Sequence, residues 1–202
     1  MTDLRALLAG PVQDAARGLL NARISGGGVT VRLTEVEAYA GVGEDPSSHA
    51  HRRQTARNAV MFGPPGFAYV YFTYGMHWCV NVVCGPAGRA AAVLLRAGEV
   101  VEGPEIARSR RPRSSDRDLA RGPARLATVL GADRNADGAS LLDGAGPLRL
   151  AAGERAPADR IRIGPRVGVR TDTAWRFWLD GEPTVSVFRR HVRRRTSRDH
   201  AR

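Results

Sequence analysis

The chain has 202 residues, 43% of them hydrophobic, enough for one domain with a real core and with no apolar run approaching membrane-spanning length. All 31 basic residues are arginine, which excludes covalent catalysis through a lysine Schiff base and leaves only an N-terminal amine to substitute. The formal net charge of +11 favours an anionic partner, and nucleic acid is the commonest one in the cytoplasm.

Met1-Thr2-Asp3-Leu4-Arg5 is followed by no signal-peptide core, so cytoplasmic residence without a membrane partner is expected. Residues 11–22 carry Val12, Ala15, Ala16, Leu19 and Leu20 at helical spacing, which predicts an amphipathic helix. Gly26-Gly27-Gly28 lacks the Lys-Ser/Thr ending of a phosphate loop and reads as a turn. Residues 29–40 alternate as a strand. Strict alternation puts Val31, Leu33, Glu35, Glu37 and Tyr39 on one face, so both glutamates continue an apolar face.

Residues 41–65 are polar and turn-rich, suited to a long functional loop or a short helix near Arg57. Residues 67–73 and 77–84 are β-branched and aromatic, and Tyr74-Gly75-Met76 joins them as a hairpin. Cys79 and Cys84 would face opposite sides of that strand; they argue for neither a disulfide nor a metal site and read as packing residues. A strand is expected at 90–96, a flexible segment at 107–117, and a helix at 118–130 closed by Gly131. Late strands are expected at 160–169 and 184–188. The expected fold class is α+β. It is a single β-rich domain over residues 1–188, with a curved, mostly antiparallel sheet, helices packed around it and a protruding β-hairpin. Residues 189–202 hold seven arginines and read as a basic, disordered tail.

Glu37 is the strongest candidate for chemistry, since a carboxylate on an apolar strand face is costly to bury unless it is paired or works as a base. The open alternative is a Glu–Arg pair within the sheet, with Arg96 or Arg32 as partner. Glu35 shares that face but lies further from the loop where a site would open. Tyr39, His49 and Tyr71 could form a stacking slot for a flat base, although each alone reads as an ordinary packing or loop residue. His49 and His51 supply two metal ligands with no third in view, so no zinc site and no cofactor is expected. Tyr74, beside Gly75 at the hairpin tip, has little core to bury into and suits a wedge entering a duplex. Asn81 suits reading a base edge from a strand, and Tyr69 reads as a sheet residue only.

These residues resemble the alkyladenine (3-methyladenine) DNA glycosylase family, of AAG or MPG type. The resemblance is dense from Thr34 to Ala97. It runs through Glu37-Ala38-Tyr39, Asp45-Pro46-Ser47-Ser48-His49, Arg57-Asn58, Met61-Phe62, Tyr69-Val70-Tyr71, Tyr74-Gly75-Met76-His77, Asn81 and Leu94-Leu95-Arg96-Ala97. Weaker echoes follow at Gly122-Pro123, Arg166-Val167-Gly168-Val169, Trp175-Arg176-Phe177 and Val185-Ser186-Val187. The chain departs from the usual pattern at Ala56 and Arg125, and is shorter between Val169 and Trp175.

The resemblance implies a monofunctional DNA glycosylase that excises alkylated purines from double-stranded DNA, as a monomer associated with the nucleoid. Glu37 would be the general base that activates water, with Arg96 and the backbone carbonyl of Val167 holding that water. Tyr39 would stack on one face of the flipped base and His49 with Tyr71 on the other. Asn81 would exclude guanine, and Tyr74 would fill the gap left in the duplex. The absence of lysine fits an enzyme without lyase activity. A non-catalytic nucleic-acid-binding module is the competing reading, and an RNA-directed protein is a third.

Overall fold

The computed structural model describes residues 3–191. Among them are eight strands: β1 (Arg23–Gly26), β2 (Val29–Tyr39), β3 (Ala68–Thr73), β4 (His77–Val83), β5 (Ala92–Glu102), β6 (Leu148–Ala151), β7 (Ile161–Gly164) and β8 (Arg176–Leu179). Four α-helices accompany them: α1 (Leu4–Ala9), α2 (Val12–Gly18), α3 (Pro104–Arg110) and α4 (Pro123–Leu130). All strand pairs are antiparallel, in the order β3-β4-β5-β2-β1-β6, with β8 also pairing β2 and β7 pairing β8. The sheet curls, the helices are few and short, and the whole is one α+β domain, as the sequence pattern implies.

Side-chain parity divides the sheet into two faces. Val70, Val80, Val82, Val93 and Leu95 pack into the main core with Val12, Ala15 and Ala16 of α2 and Leu126, Ala127 and Leu130 of α4. Their neighbours in β3, β4 and β5 point the other way. There Tyr69, Val83 and Ala92 join Ala50 and Met61 in a smaller cluster. Cys84 lies in the main core, whereas Cys79 faces the opposite side. The helix ends follow local chemistry: α4 starts with Pro123 in its first turn and stops at Gly131, which is left-handed at φ 65.

In β2 the parity reverses. Val29, Val31 and Leu33 enter the main core, but further along it is Val36, Ala38 and Ala40 that do so. The register explains the change. Leu33 pairs with Gly98, Glu35 with Ala97 and Val36 with Leu95, so Thr34 is extra on β2 and Arg96 is extra on β5. Gly98 permits the close approach, because a Cβ there would run into the Arg32 carbonyl. The expectation that Glu35 and Glu37 continue an apolar face is therefore corrected. They lie on the face away from Val36 and Ala38.

Other expectations are corrected in detail. The first amphipathic helix stops at Gly18, and Asn21, left-handed at φ 66, turns the chain into β1. The short strands β1, β6 and β8 escape a reading by alternation: each is only four residues long, and β6 and β8 are defined by partners distant in the chain. The late strand at 160–169 shrinks to β7. Residues 184–188 form no strand. The Ser186 N–H donates to the Glu35 carboxylate at 2.6 Å instead of to a ladder.

Residues 107–117 are not a loose segment. Residues 107–110 form the end of α3 and the chain then turns, with Arg110 donating to the carbonyls of Val129 and Gly27 and Arg111 donating to those of Asp118 and Leu119. Arginine rather than order-breaking composition decides that stretch. Of the expected tail, Arg189 accepts the Gly168 N–H at its carbonyl and Arg190 pairs with Asp172. The remainder, residues 192–202, lies outside the described residues.

Candidate active site

The strand face turned away from the main core forms the floor of a pocket. Tyr69, Asn81, Leu94 and Glu37 lie in register across β3, β4, β5 and β2 and all line it. Tyr39, Tyr71, Cys79 and Arg96 belong to the same face. His49 from the 40–58 loop and the Val167-Gly168 turn form its walls, and Tyr74 stands at the pocket as well. The cavity measures about 310 Å³, near the lower end for small-molecule sites.

Glu37 is fully buried. Its Oε1 accepts the Val167 N–H at 2.7 Å and its Oε2 accepts the Tyr39 hydroxyl at 2.9 Å. The Arg96 Nε lies 3.5 Å from Oε1. Burial pushes the Glu37 carboxyl above the ordinary range, against the opposing pull of Arg96, the Val167 N–H and the Tyr39 hydroxyl. The Glu–Arg pair left open by sequence is present only in this weak form, for Arg96 sits closer to Glu35, at 2.9 Å. Arg32 is not involved and pairs with Glu99 and Glu182.

The rings are held individually. His49 and Tyr71 meet edge to face, with centroids 4.5 Å apart, and the His49 Nδ1 shares a 2.9 Å hydrogen bond with the Tyr69 hydroxyl. Burial lowers the His49 imidazole from its usual value, helped by Arg57, so it favours the neutral form. Burial raises Tyr39 and Tyr71, and pushes Tyr69 up to about 12. The phenols therefore stay protonated donors. Asn81 is buried, and its Nδ2 donates to the Tyr69 carbonyl at 2.9 Å.

Tyr69 is a site residue that the sequence reading left in the sheet. Its parity with Tyr71 was the signal available. Arg166 and Asp45 lie in the stretches that carry the resemblance, but were given no role. Arg166 is buried and donates to both Asp45 oxygens at 2.6 and 2.7 Å and to the Ala38 carbonyl at 2.8 Å. Its guanidinium lies 4.4 Å from the Tyr39 ring centroid. Val167 engages Glu37 through its N–H, a contact not anticipated from the resemblance, which assigned its carbonyl to water.

At the hairpin tip Tyr74 is 86% exposed and has φ 52, while Gly75 has φ 67. Positive φ at both central residues is the requirement of a type I′ turn. For tyrosine that conformation costs roughly 1–2 kcal/mol, and such strain is characteristic of functional positions. A second cleft, of about 380 Å³, adjoins the pocket and shares Arg96 and Val167 with it. Arg121, Arg125 and Arg189 line it, with Asp118 the only acidic residue.

A buried carboxylate thus faces a ring-walled cavity, with arginines beside the opening and an exposed tyrosine at the neighbouring hairpin tip. The methylpurine-DNA glycosylase (MPG) family model matches residues 6–183. A curated relative from Streptomyces avermitilis, named "Putative 3-methyladenine DNA glycosylase", is 54% identical over 95% of this chain and 93% of its own. Relatives of the same name from Nocardia farcinica and Mycobacterium tuberculosis are 54% and 47% identical, each over 89% of this chain and over 88% and 90% of their own. The chain belongs to the methylpurine-DNA glycosylase family and is a DNA N-glycosylase.

Proposed function

We propose that the protein is a monofunctional glycosylase that removes alkylated purines, 3-methyladenine and 7-methylguanine foremost, from double-stranded DNA. The relatives' names support the first of these substrates. The observation that carries the reading is Glu37, buried at the floor of a pocket walled by Tyr39, Tyr71 and His49.

A glycosidic bond inside the stack is out of reach, so the nucleotide must rotate into the pocket. Tyr74 enters the space it vacates. Alkylation at N3 or N7 makes the purine cationic, which favours contact with electron-rich ring faces and makes it a good leaving group. Tyr39 takes one face of the base, with His49 and Tyr71 against the other. Asn81 stands where a normal guanine would bring its exocyclic amine.

Glu37 then accepts a proton from water as the water oxygen bonds to C1′. The C1′–N bond breaks and the base leaves with its electron pair. Positioned base catalysis contributes roughly 10²–10⁴-fold. Arg96 and the Val167 carbonyl hold the water, while the Val167 N–H and the Tyr39 hydroxyl hold Glu37. The arginine cleft next to the pocket suits the backbone phosphates. The product is an abasic site left uncut, because no lysine is present to form a Schiff base. The protein acts as a monomer, in the cytoplasm at the nucleoid.

The test is release of free methylated purine from an alkylated duplex. Wild type releases it and Glu37→Gln does not, while both bind the duplex. Binding without release by wild type would leave only a nucleic-acid-binding module.

A further inference from the structure

Glu35 is a second fully buried carboxylate beside the pocket, and the mechanism above gives it no part. Its Oε1 receives the Arg176 Nε at 2.6 Å, the Arg96 Nε at 2.9 Å and the Ser186 hydroxyl at 3.0 Å. Its Oε2 accepts the Ser186 N–H at 2.6 Å. The Ser186 hydroxyl closes the ring of contacts by accepting from the Arg96 Nε at 3.2 Å. Arg176 in turn donates to the Ser186 carbonyl at 3.0 Å. Ser186 lies beyond residue 183, where the family match ends.

Two carboxylates and two guanidiniums thus share one buried space, and their division is unequal. Arg96 is the bulged residue of β5, free of the ladder and set between Glu35 and Glu37. Its Nε lies 2.9 Å from Glu35 and 3.5 Å from Glu37. A full Arg96–Glu37 pair would leave Glu37 a poor proton acceptor, since a close guanidinium favours the carboxylate.

We propose that Glu35 is a positioning residue for the reaction: it draws Arg96 off Glu37, so that Glu37 stays a base while Arg96 still reaches the pocket. Ser186 locks that division by bridging Glu35 and Arg96. This rests on the glycosylase reading of Glu37. The groups facing Glu37 are Glu35 and Tyr39 of β2, Tyr71 of β3, Cys79 of β4, Arg96 of β5, Arg166, and Arg176, its register partner on β8. Glu35 raises Glu37 by charge repulsion and Arg96 lowers it. Removing the Glu35 charge therefore acts downward through both.

The experiment follows the Glu37 carboxyl by ¹³C NMR in ligand-free protein labelled at glutamate, with Glu37→Gln assigning the resonance. Single-turnover base release is measured against pH in parallel. In Glu35→Gln the Glu37 titration midpoint moves to lower pH, and so does the acid limb of the rate profile. The plateau rate drops by roughly tenfold, as a weaker base transfers the proton less well. Ser186→Ala shifts both in the same direction by less, and decides the matter if Glu35→Gln fails to fold. A lower plateau with an unmoved or raised midpoint would make Glu35 a merely structural pair and overturn the proposal. A midpoint that moves in a protein releasing no base would refute the glycosylase reading and leave the coupling standing.

Discussion

Glu37 and Val167 stand 130 residues apart in the chain, yet the Val167 N–H donates to Glu37 Oε1 at 2.7 Å. The contact aims the carboxylate at the cavity and uses one of its lone pairs on backbone that no side-chain substitution can remove. The other oxygen depends on Tyr39. That difference makes the two supports separable by experiment.

Tyr39→Phe removes the hydroxyl and keeps the ring, so it tests orientation of the base without loss of stacking. A lost hydrogen bond to a charged group costs about 1.5–3 kcal/mol, and a release rate roughly 10–100-fold lower is expected. Tyr39→Leu, which loses the ring too, should also weaken lesion binding. Single-turnover rates and lesion-duplex affinities of both variants separate these effects. Equal rates for Tyr39→Phe and wild type would remove the hydroxyl from the mechanism.

Glu37 carries a stability cost whose sign is clear. Its folded-state carboxyl is raised by burial, so the native state holds its proton more tightly than the unfolded chain does. Stability from this group is full below the unfolded value and is lost as pH rises through the folded one. Glu37→Gln should melt higher than wild type at pH 8, with the gap closing toward pH 4. Calorimetry at both values is the check. A Gln variant less stable than wild type at pH 8 would contradict the burial argument.

The Arg166–Asp45 pair is buried on both sides, at 0% and 2% side-chain exposure respectively. Breaking such a pair from one end typically costs about 3–5 kcal/mol. Asp45→Asn should therefore lower the unfolding free energy in denaturant titration by an amount of that order. Because Arg166 also sits on the Tyr39 ring, release of base should fall as well. A loss below about 1 kcal/mol would place the pair in the range of exposed ion pairs.

Tyr74→Ala should keep its circular dichroism spectrum and its melting temperature, since the side chain is 86% exposed. Alanine keeps the positive-φ penalty at this position, so Tyr74→Gly, free of it, is the sharper control. Both should lose affinity for a lesion duplex and lose base-flipping fluorescence. Unaltered binding would remove Tyr74 as the wedge.

Borohydride should trap no covalent complex through a side chain, because all 31 basic residues are arginine. Electrophoresis of the reaction with an alkylated duplex reads this directly. A side-chain adduct would refute the monofunctional mechanism.

Much of this protein is local in origin and was open to a reading by residue pattern. The β3–β4 hairpin, its Tyr74 tip and the helix end at Gly131 follow from alternation and turn chemistry, whereas the expected helix start at 118 gave way to α4 from Pro123. The candidates Glu37, Tyr39, His49, Tyr71 and Asn81 were open to a reading by motif. Tertiary structure decided which way the two glutamates face. Paired bulges at Thr34 and Arg96 reverse the parity of β2, and a bulge depends on the register with a partner strand, which alternation along one strand does not encode. The same holds for Val167, Arg166 and Ser186. Each meets its carboxylate across more than a hundred residues of chain, where only the folded sheet and its loops bring donor and acceptor together.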